Sequence, residues 1–310
     1  MVTVVTDKTH NRQRLDKLLC QLYPALSRAK IQKAIGQGLV TVDNKHISPH
    51  YFLKEKQSIV IDEEKLLAEE IKERINPPTS QEPVIMEETD DYLIIDKPAG
   101  WVVHPAASSP KDQLTVSDWL SKKYPELKNI GPDQTRGGIV HRLDKDVSGV
   151  LLVARTLKFY GHIIQQFKDR VVDKTYLALV HEQMPKSADV IDFPIVRGKK
   201  GKMAAKPKNE DGKEAITRFT VIKNYDHFSY LEVKIDTGRT HQIRVHLRAY
   251  SHPIVGDRLY EAKRPSAKLI TPRLFLHAHQ LSFIDMDGNK QTYTSPLPPD
   301  LKAVLESIKK

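Results

Sequence analysis

Apolar residues change their spacing along the chain, and each change marks a different kind of element. Leu15, Leu18, Leu19 and Leu22 recur at i, i+3, i+4 and i+7, which predicts a short amphipathic helix ended by Pro24. Ser27 is placed to cap a second helix that buries Ile31, Ala34 and Ile35 and turns Arg28, Lys30 and Lys33 toward solvent. Gly36 and Gly38 stop that helix. Leu39–Val42 then predicts a strand, Asp43-Asn44 a turn and Ser58–Ile61 a closing strand.

Residues 63–82 are acidic and run into Pro77-Pro78, a composition expected of a tether. From Val84 the pattern becomes β-rich. Asp91–Pro105 predicts two apolar strands around a hairpin-type turn at Lys97-Pro98-Ala99-Gly100. Val150–Val153 is a short buried run, and Phe159, His162, Ile163 and Phe167 share one face of a helix. Thr175–Val180 and Leu231–Ile235 read as strands, the second alternating Leu231, Val233 and Ile235 with Glu232 and Lys234. Thr240–Arg248 reads as a helix. The expected organisation is a small domain at 1–62, a linker at 63–82 and a larger α+β domain at 83–310.

Charge adds a partner to this picture. The 310 residues hold 49 Lys and Arg against 39 Asp and Glu, a net +10, which favours a polyanion through phosphate neutralisation. Cys20 is the single cysteine, so no internal disulfide and no cysteine metal cage can form. No basic-then-apolar leader opens the chain, and no stretch approaches the roughly 18 apolar residues of a membrane span. The expectation is a soluble, cytoplasmic protein with no membrane partner, and nothing demands more than a monomer.

Candidate chemistry is sparse when residues are taken singly. Asp144 and Asp146 lie two apart, a spacing that says little, since acid–base carboxylate pairs come from separate segments. Asp144 does lie between a Gly137-Gly138 turn and the buried run at Val150, a good place to fix a functional side chain. His241 with His246, or His277 with His279, lack the spacing of a zinc helix, so no metal is expected. No GxxxxGK[ST] or GxGxxG run is present, so no nucleotide cofactor is expected either.

Several segments taken in order are far more specific. Arg136–Arg155 (RGGIVHRLDKDVSGVLLVAR) closely resembles the active-site motif of RluA-family pseudouridine synthases. Asp173–Val180, Thr237–Leu247 with His252–Tyr260, and Leu276–Phe283 resemble the family's later motifs, and Lys97–Pro105 fits its opening strand pair. Arg14–Asp62 resembles an S4-like RNA-binding domain. The resemblance implies an S4-like α/β domain followed by a catalytic domain on a mixed, largely antiparallel β-sheet flanked by helices. It also implies an enzyme that isomerises uridine to pseudouridine in structured RNA, without a cofactor. The domain arrangement points to large-subunit ribosomal RNA, with transfer RNA as the alternative.

Roles follow residue by residue from that resemblance. Asp144 would be the nucleophile, attacking C6 of the base or C1′ of the ribose, and Arg244 would keep it charged and aimed. Tyr176 would stack on the base and remove the C5 proton. Arg142, with His141 beside it, would enter the RNA stack that a flipped base has left. Ile243 and Leu276 would wall the pocket. Arg28, Lys30, Lys33 and Arg239 would contact RNA. So would Lys199, Lys200 and Lys202 on a hairpin arm within Arg197–Ala215. Val147-Ser148 stands where the family often has Thr-Ser or Thr-Thr, and 261–273 lacks the family's short Gly-rich stretch. A non-catalytic RNA-binding relative would be expected to lack Asp144, Tyr176 or Arg244; all three are present.

Overall fold

The computed structural model describes residues 2–23, 28–63, 66, 81–105, 114–198, 202–206, 211–260, 267, 269 and 271–308. The chain splits into two compact units, Met1–Pro77 with Pro105–Leu114, and Pro78–His104 with Thr115–Lys310. Ser27 and most of the expected linker lie outside the described residues.

The first unit carries β1 (Val2–Val5), α1 (Leu15–Leu22), α2 (Arg28–Gly36), β2 (Val40–Val42) and β3 (Ser58–Ile61). Its sheet runs β1-β3-β2, all antiparallel. The predicted stripes pack as expected, with Leu15, Leu18, Leu19, Ile31, Ala34 and Ile35 buried against Val40, Val42, Ile59 and Ile61. Leu22 departs from its stripe and is 44% exposed. Asp43 and Asn44 both take left-handed φ, 50° and 59°, as a tight two-residue hairpin turn requires. At the heart of the unit Asp16 is fully buried and accepts hydrogen bonds from Arg14, Arg28 and Gln32. Burial opposes its charge, but those donors outweigh it and hold the carboxyl far below its ordinary range.

The second unit opens with β4 (Val84–Glu88), β5 (Tyr92–Lys97), α3 (Val116–Lys123), β6 (Ser148–Ala154) and α4 (Leu157–Lys168). It continues with β7 (Asp173–His181), β8 (Ala188–Ile191), β9 (Ile195–Arg197), β10 (Met203–Ala205), β11 (Thr217–Tyr225) and β12 (Phe228–Ile235). It closes with α5 (Gln242–Ala249), β13 (Leu276–Ile284), β14 (Lys290–Thr294) and α6 (Pro299–Ser307). A nine-stranded sheet runs β4-β5-β6-β13-β7-β12-β11-β8, with β14 beside β13. Every pair in it is antiparallel except β6 with β13.

That parallel contact joins the two halves of the sheet. Gly149 of β6 has φ +118°, and a Cβ there would lie 2.1 Å from the carbonyl oxygen of Ala278, so only glycine lets the strands meet. The expected hairpin at Lys97–Gly100 does not form. β5 pairs with β4 and β6 instead, and Val102 makes a single bridge to Thr115. The buried Lys97 ammonium explains the diversion, because it donates to the carbonyls of Pro98, Trp101 and Lys145 and draws the chain inward after β5.

His277, on β13, is fully buried and links three elements. Arg273 donates to Ser148 Oγ, the hydroxyl can donate to His277 Nδ1, and His277 Nε2 lies 3.0 Å from the Ser295 carbonyl as its donor. Burial pushes this imidazole from 6.5 down to about 4. The unfolded chain therefore binds a proton that the folded one refuses. The stabilisation is complete above about pH 6.5 and is lost as pH falls toward 4. The midpoint of thermal unfolding should fall through this window, and His277→Gln should flatten the slope between pH 7 and 4.5 by the equivalent of about 3 kcal/mol or less. An unchanged slope would show that His277 does not control the acid limb.

Candidate active site

Three neighbouring strands build the floor of a cleft. Tyr176 of β7 pairs with Ala278 of β13 and with Val233 of β12. The two-residue period of strands puts Leu276 and Ile235 on the same face as Tyr176. The three residues line one cleft, together with Leu143, Asp144 and Ile243. Asp144 enters it from the loop before β6, closed by a Val147 N–H to Asp144 carbonyl bond of 3.1 Å. The same loop is fixed from below, since the Lys145 carbonyl accepts from Gly100 N–H and from buried Lys97. Burial pushes that lysine down to about 7, against the pull of Asp144 and Asp146.

Arg244 reaches the cleft from α5. The preceding Gln242 is buried and anchors the helix start, accepting from Thr237 Oγ1 and Arg239 N–H and donating to the Ile216 carbonyl and Thr217 Oγ1. Arg244 Nη1 donates to Asp144 Oδ2 at 3.0 Å. On its other edge Nε and Nη2 hold both oxygens of Asp257 at 2.7 and 2.9 Å. Asp257, 2% exposed, also accepts the Leu259 and Tyr260 N–H groups. Burial pushes the Asp257 carboxyl up, but Arg244 and those amides overcome it and keep it ionised. The guanidinium also lies 5.1 Å from the Tyr260 ring centre. An arginine so held presents one fixed N–H to Asp144 without rotamer freedom.

His241 completes the rim. Its backbone is left-handed, φ 56°, and its Nε2 stands 3.9 Å from Asp144 Oδ2. Nδ1 lies 2.9 Å from the Tyr260 hydroxyl, which already accepts the Met203 N–H. The hydroxyl proton is thus free for Nδ1, which leaves Nε2–H facing the carboxylate. Burial lowers this imidazole's pKa against the opposing pull of Asp144. Tyr176, 7% exposed, is pushed the other way: burial and the charge on Asp144 both raise its phenol, which stays protonated.

The sequence pattern of the RNA pseudouridylate synthase family matches residues 91–249, and that of the S4 domain matches residues 13–59. An uncharacterised RNA pseudouridine synthase of Chloroflexus aurantiacus is 38% identical, over 98% of this chain and 93% of its own length. The ribosomal large subunit pseudouridine synthase D of Pseudomonas aeruginosa is 34% identical, over 96% of this chain and 92% of its own. Among solved structures, human RNA pseudouridylate synthase domain containing 4 shares the fold with a TM-score of 0.58 and 26% identity. That alignment covers 73% of this chain and 92% of the human one. The chain belongs to the RNA pseudouridylate synthase family. It is an RNA pseudouridine synthase, an isomerase with an S4 domain in its N-terminal unit, and RNA is its partner.

Within this pseudouridine synthase the cleft brings together Asp144, Tyr176, Arg244, Arg142, Arg239, Ile243 and Leu276, all singled out from the sequence. Arg142 is exposed at its mouth, and Arg239 is partly engaged by the Glu214 carbonyl. His141 is placed differently from its expected contact with RNA. Its Nε2 accepts the Leu152 N–H at 2.9 Å, its ring packs 5.3 Å from that of Phe167, and burial holds it neutral, down to about 3. It fastens the Asp144 loop to β6 and is no phosphate-binding cation. Arg28 is less free than a solvent-facing helix suggests, because it clamps Asp16 while remaining half exposed.

The remaining basic residues are more dispersed. Lys33 belongs to α2, while the side chain of Lys30 lies outside the described residues. Lys199 and Lys200 also lie outside them. The arm itself is a short antiparallel pair of β9 and β10, and Lys202, just before β10 at the turn end, is exposed and reaches the Leu259 carbonyl at 3.4 Å. His277 and His279 both use their rings on the Ser295 carbonyl. Among the described residues no three His, Cys, Asp or Glu gather as a metal set, and no helix is long and apolar enough to cross a membrane.

The sequence pattern points to no role for Asp257, Tyr260 or Lys97, and raises His241 only as a metal ligand. Asp257 and Tyr260 stand inside the quoted His252–Tyr260 motif, so the signal was present. An acidic residue 13 positions past an arginine simply has no local pattern that pairs the two.

Proposed function

We propose that Asp144 is the nucleophile that isomerises a flipped-out uridine in large-subunit ribosomal RNA. The observation that carries this is the Arg244–Asp144 ion pair, 3.0 Å long, inside a cleft floored by Tyr176 and Leu276. The carboxylate attacks C6 of the base or C1′ of the ribose. The N1–C1′ bond breaks, the uracil turns within the apolar walls, and a C5–C1′ bond forms. One proton leaves C5 and one is taken up at N1, so no outside reactant is needed.

Tyr176 supplies the stacking face. As a base it must first lose a proton that burial and Asp144 both oppose. Transfer of the carboxylate charge into an ester removes the second of these obstacles. Arg142, exposed at the mouth, is placed to fill the gap in the RNA stack. The ribosomal assignment is supported by the S4 domain and by the large-subunit relatives, which match the chain almost end to end.

Two measurements test it. Protein-free large-subunit ribosomal RNA carrying tritium at uracil C5 should release tritium to water on incubation with the enzyme. Pseudouridine mapping in cells with and without the gene should lose one or a few large-subunit positions. Loss confined to transfer RNA would move the substrate and leave the chemistry; no release from any structured RNA would sink both.

A further inference from the structure

Behind the shared wall of Tyr176, Arg142, Ile235 and Gly238 lies a second, wider cavity of about 330 Å³. That is within the range of about 300–1,000 Å³ found for ligand sites, and uridine chemistry in the first cleft does not use it. Its other walls include His104, Arg136, Phe167, Lys174, Asp236 and Thr237. All of these belong to the second unit.

The charges there are unbalanced. Lys174 is partly buried with its Nζ 5.5 Å from the Phe167 ring centre, and it has no carboxylate within ion-pair distance among the described residues. The nearby Asp236 is committed to Arg218 at 2.9 Å. Arg142 likewise has no ion-pair partner among the described residues, while Arg136 shares Asp133 at 3.1 Å. His104 adds a buried Nδ1 with no hydrogen-bond partner among the described residues. Burial and the two arginines keep that imidazole neutral, down to about 4. A partly buried cation without a counter-ion and a buried nitrogen without a partner are both unfavourable. Each is satisfied by one ligand type: an anion for Lys174, and a sugar hydroxyl or base edge for His104.

We propose that this cavity is a second nucleotide subsite, which takes the nucleotide adjacent to the target uridine and binds its phosphate through Lys174 and Arg142. This rests on the first cleft being the uridine site. The two cavities share a wall, so neighbouring nucleotides of one strand can fill them together. Phe167 offers an apolar surface to the second base or sugar, and Lys174 anchors the phosphodiester. The subsite then reads the local path of the strand beside the flipped base and adds specificity that the uridine pocket alone lacks.

The test uses the full-length enzyme and tritium-labelled large-subunit ribosomal RNA, or whichever RNA the native enzyme modifies. Lys174→Met should keep its thermal midpoint, since it replaces a partly buried cation without an ion-pair partner with a near-isosteric apolar chain. Its KM should rise about tenfold with kcat nearly unchanged. The dependence of binding on salt should lose about one phosphate contact, and Lys174→Arg should restore part of both. Interference mapping with randomly ethylated RNA should show one phosphate beside the target uridine that the native enzyme needs and Lys174→Met ignores. Unchanged KM and an unchanged interference pattern would overturn the subsite. So would a fall in kcat at constant KM, or a loss of affinity for free uridine monophosphate while RNA binding stayed the same. Failure of the native enzyme to release tritium would instead count against the first cleft.

Discussion

Asp144→Asn protein is expected to fold normally, to bind ribosomal RNA about as well as the native enzyme, and to release no tritium from C5. The substitution keeps the shape and the polar contact to Arg244, because the amide oxygen can still accept from Nη1. What it removes is the charge and the attacking electron pair, so the loss should exceed about a thousandfold in kcat. Tyr176, whose phenol is raised by burial and further by the Asp144 charge, should titrate lower in the variant. Ultraviolet titration of the tyrosines would show that shift. Tritium release by Asp144→Asn at more than a few percent of the native rate would remove Asp144 from the chemistry.

Arg244→Met is expected to damage both stability and activity, and a paired variant separates the two. Asp257 is buried and would be left with only its two backbone amides, a situation that costs about 3 kcal/mol or more. The midpoint in urea should fall accordingly. Arg244→Met with Asp257→Asn keeps acceptors for those amides and no longer buries a lone charge. Most of the stability should return. Activity should not, because nothing then aims Asp144. Arg244→Lys should lie between, since one ammonium cannot serve both edges. If the double variant regained activity along with stability, Arg244 would be scaffold alone.

Much of the molecule was legible because its elements obey local periods. The stripe of α1 and the buried face of α2 came from a period near 3.6, and β12 from a strict alternation. Failures came where the deciding partner is distant in sequence. Leu22 fits the α1 stripe but lies at the helix end, where the core does not reach it. The supposed hairpin at Lys97–Gly100 has the right turn residues. Its first strand is claimed by β6, and the lysine inside the turn is drawn under by carbonyls, one of them 48 residues away.

The site divides in the same way. Asp144, Tyr176 and Arg244 were recognised because they sit in quoted motifs. Their second partners were not, since Asp257 and the hydroxyl of Tyr260 act on the arginine and histidine through space. His141 shows a different gap between sequence and fold. A histidine beside Arg142 reads as one more RNA contact, whereas the fold uses its lone pair to catch an amide of β6.

The parallel contact between β6 and β13 also governs when the enzyme can exist as an enzyme during its synthesis. Ser148 meets His277, so the strand carrying the Asp144 loop waits for a partner made 129 residues later. Contacts of such long sequence separation form late, after the loop-closure entropy between them has been overcome. The local hairpin of β11 and β12 can assemble early without creating a site, because Leu276 has not yet arrived to close the floor. A chain emerging from a ribosome is thus beside abundant RNA while it still lacks the pocket to act on it, and its competence arrives only with the last strands.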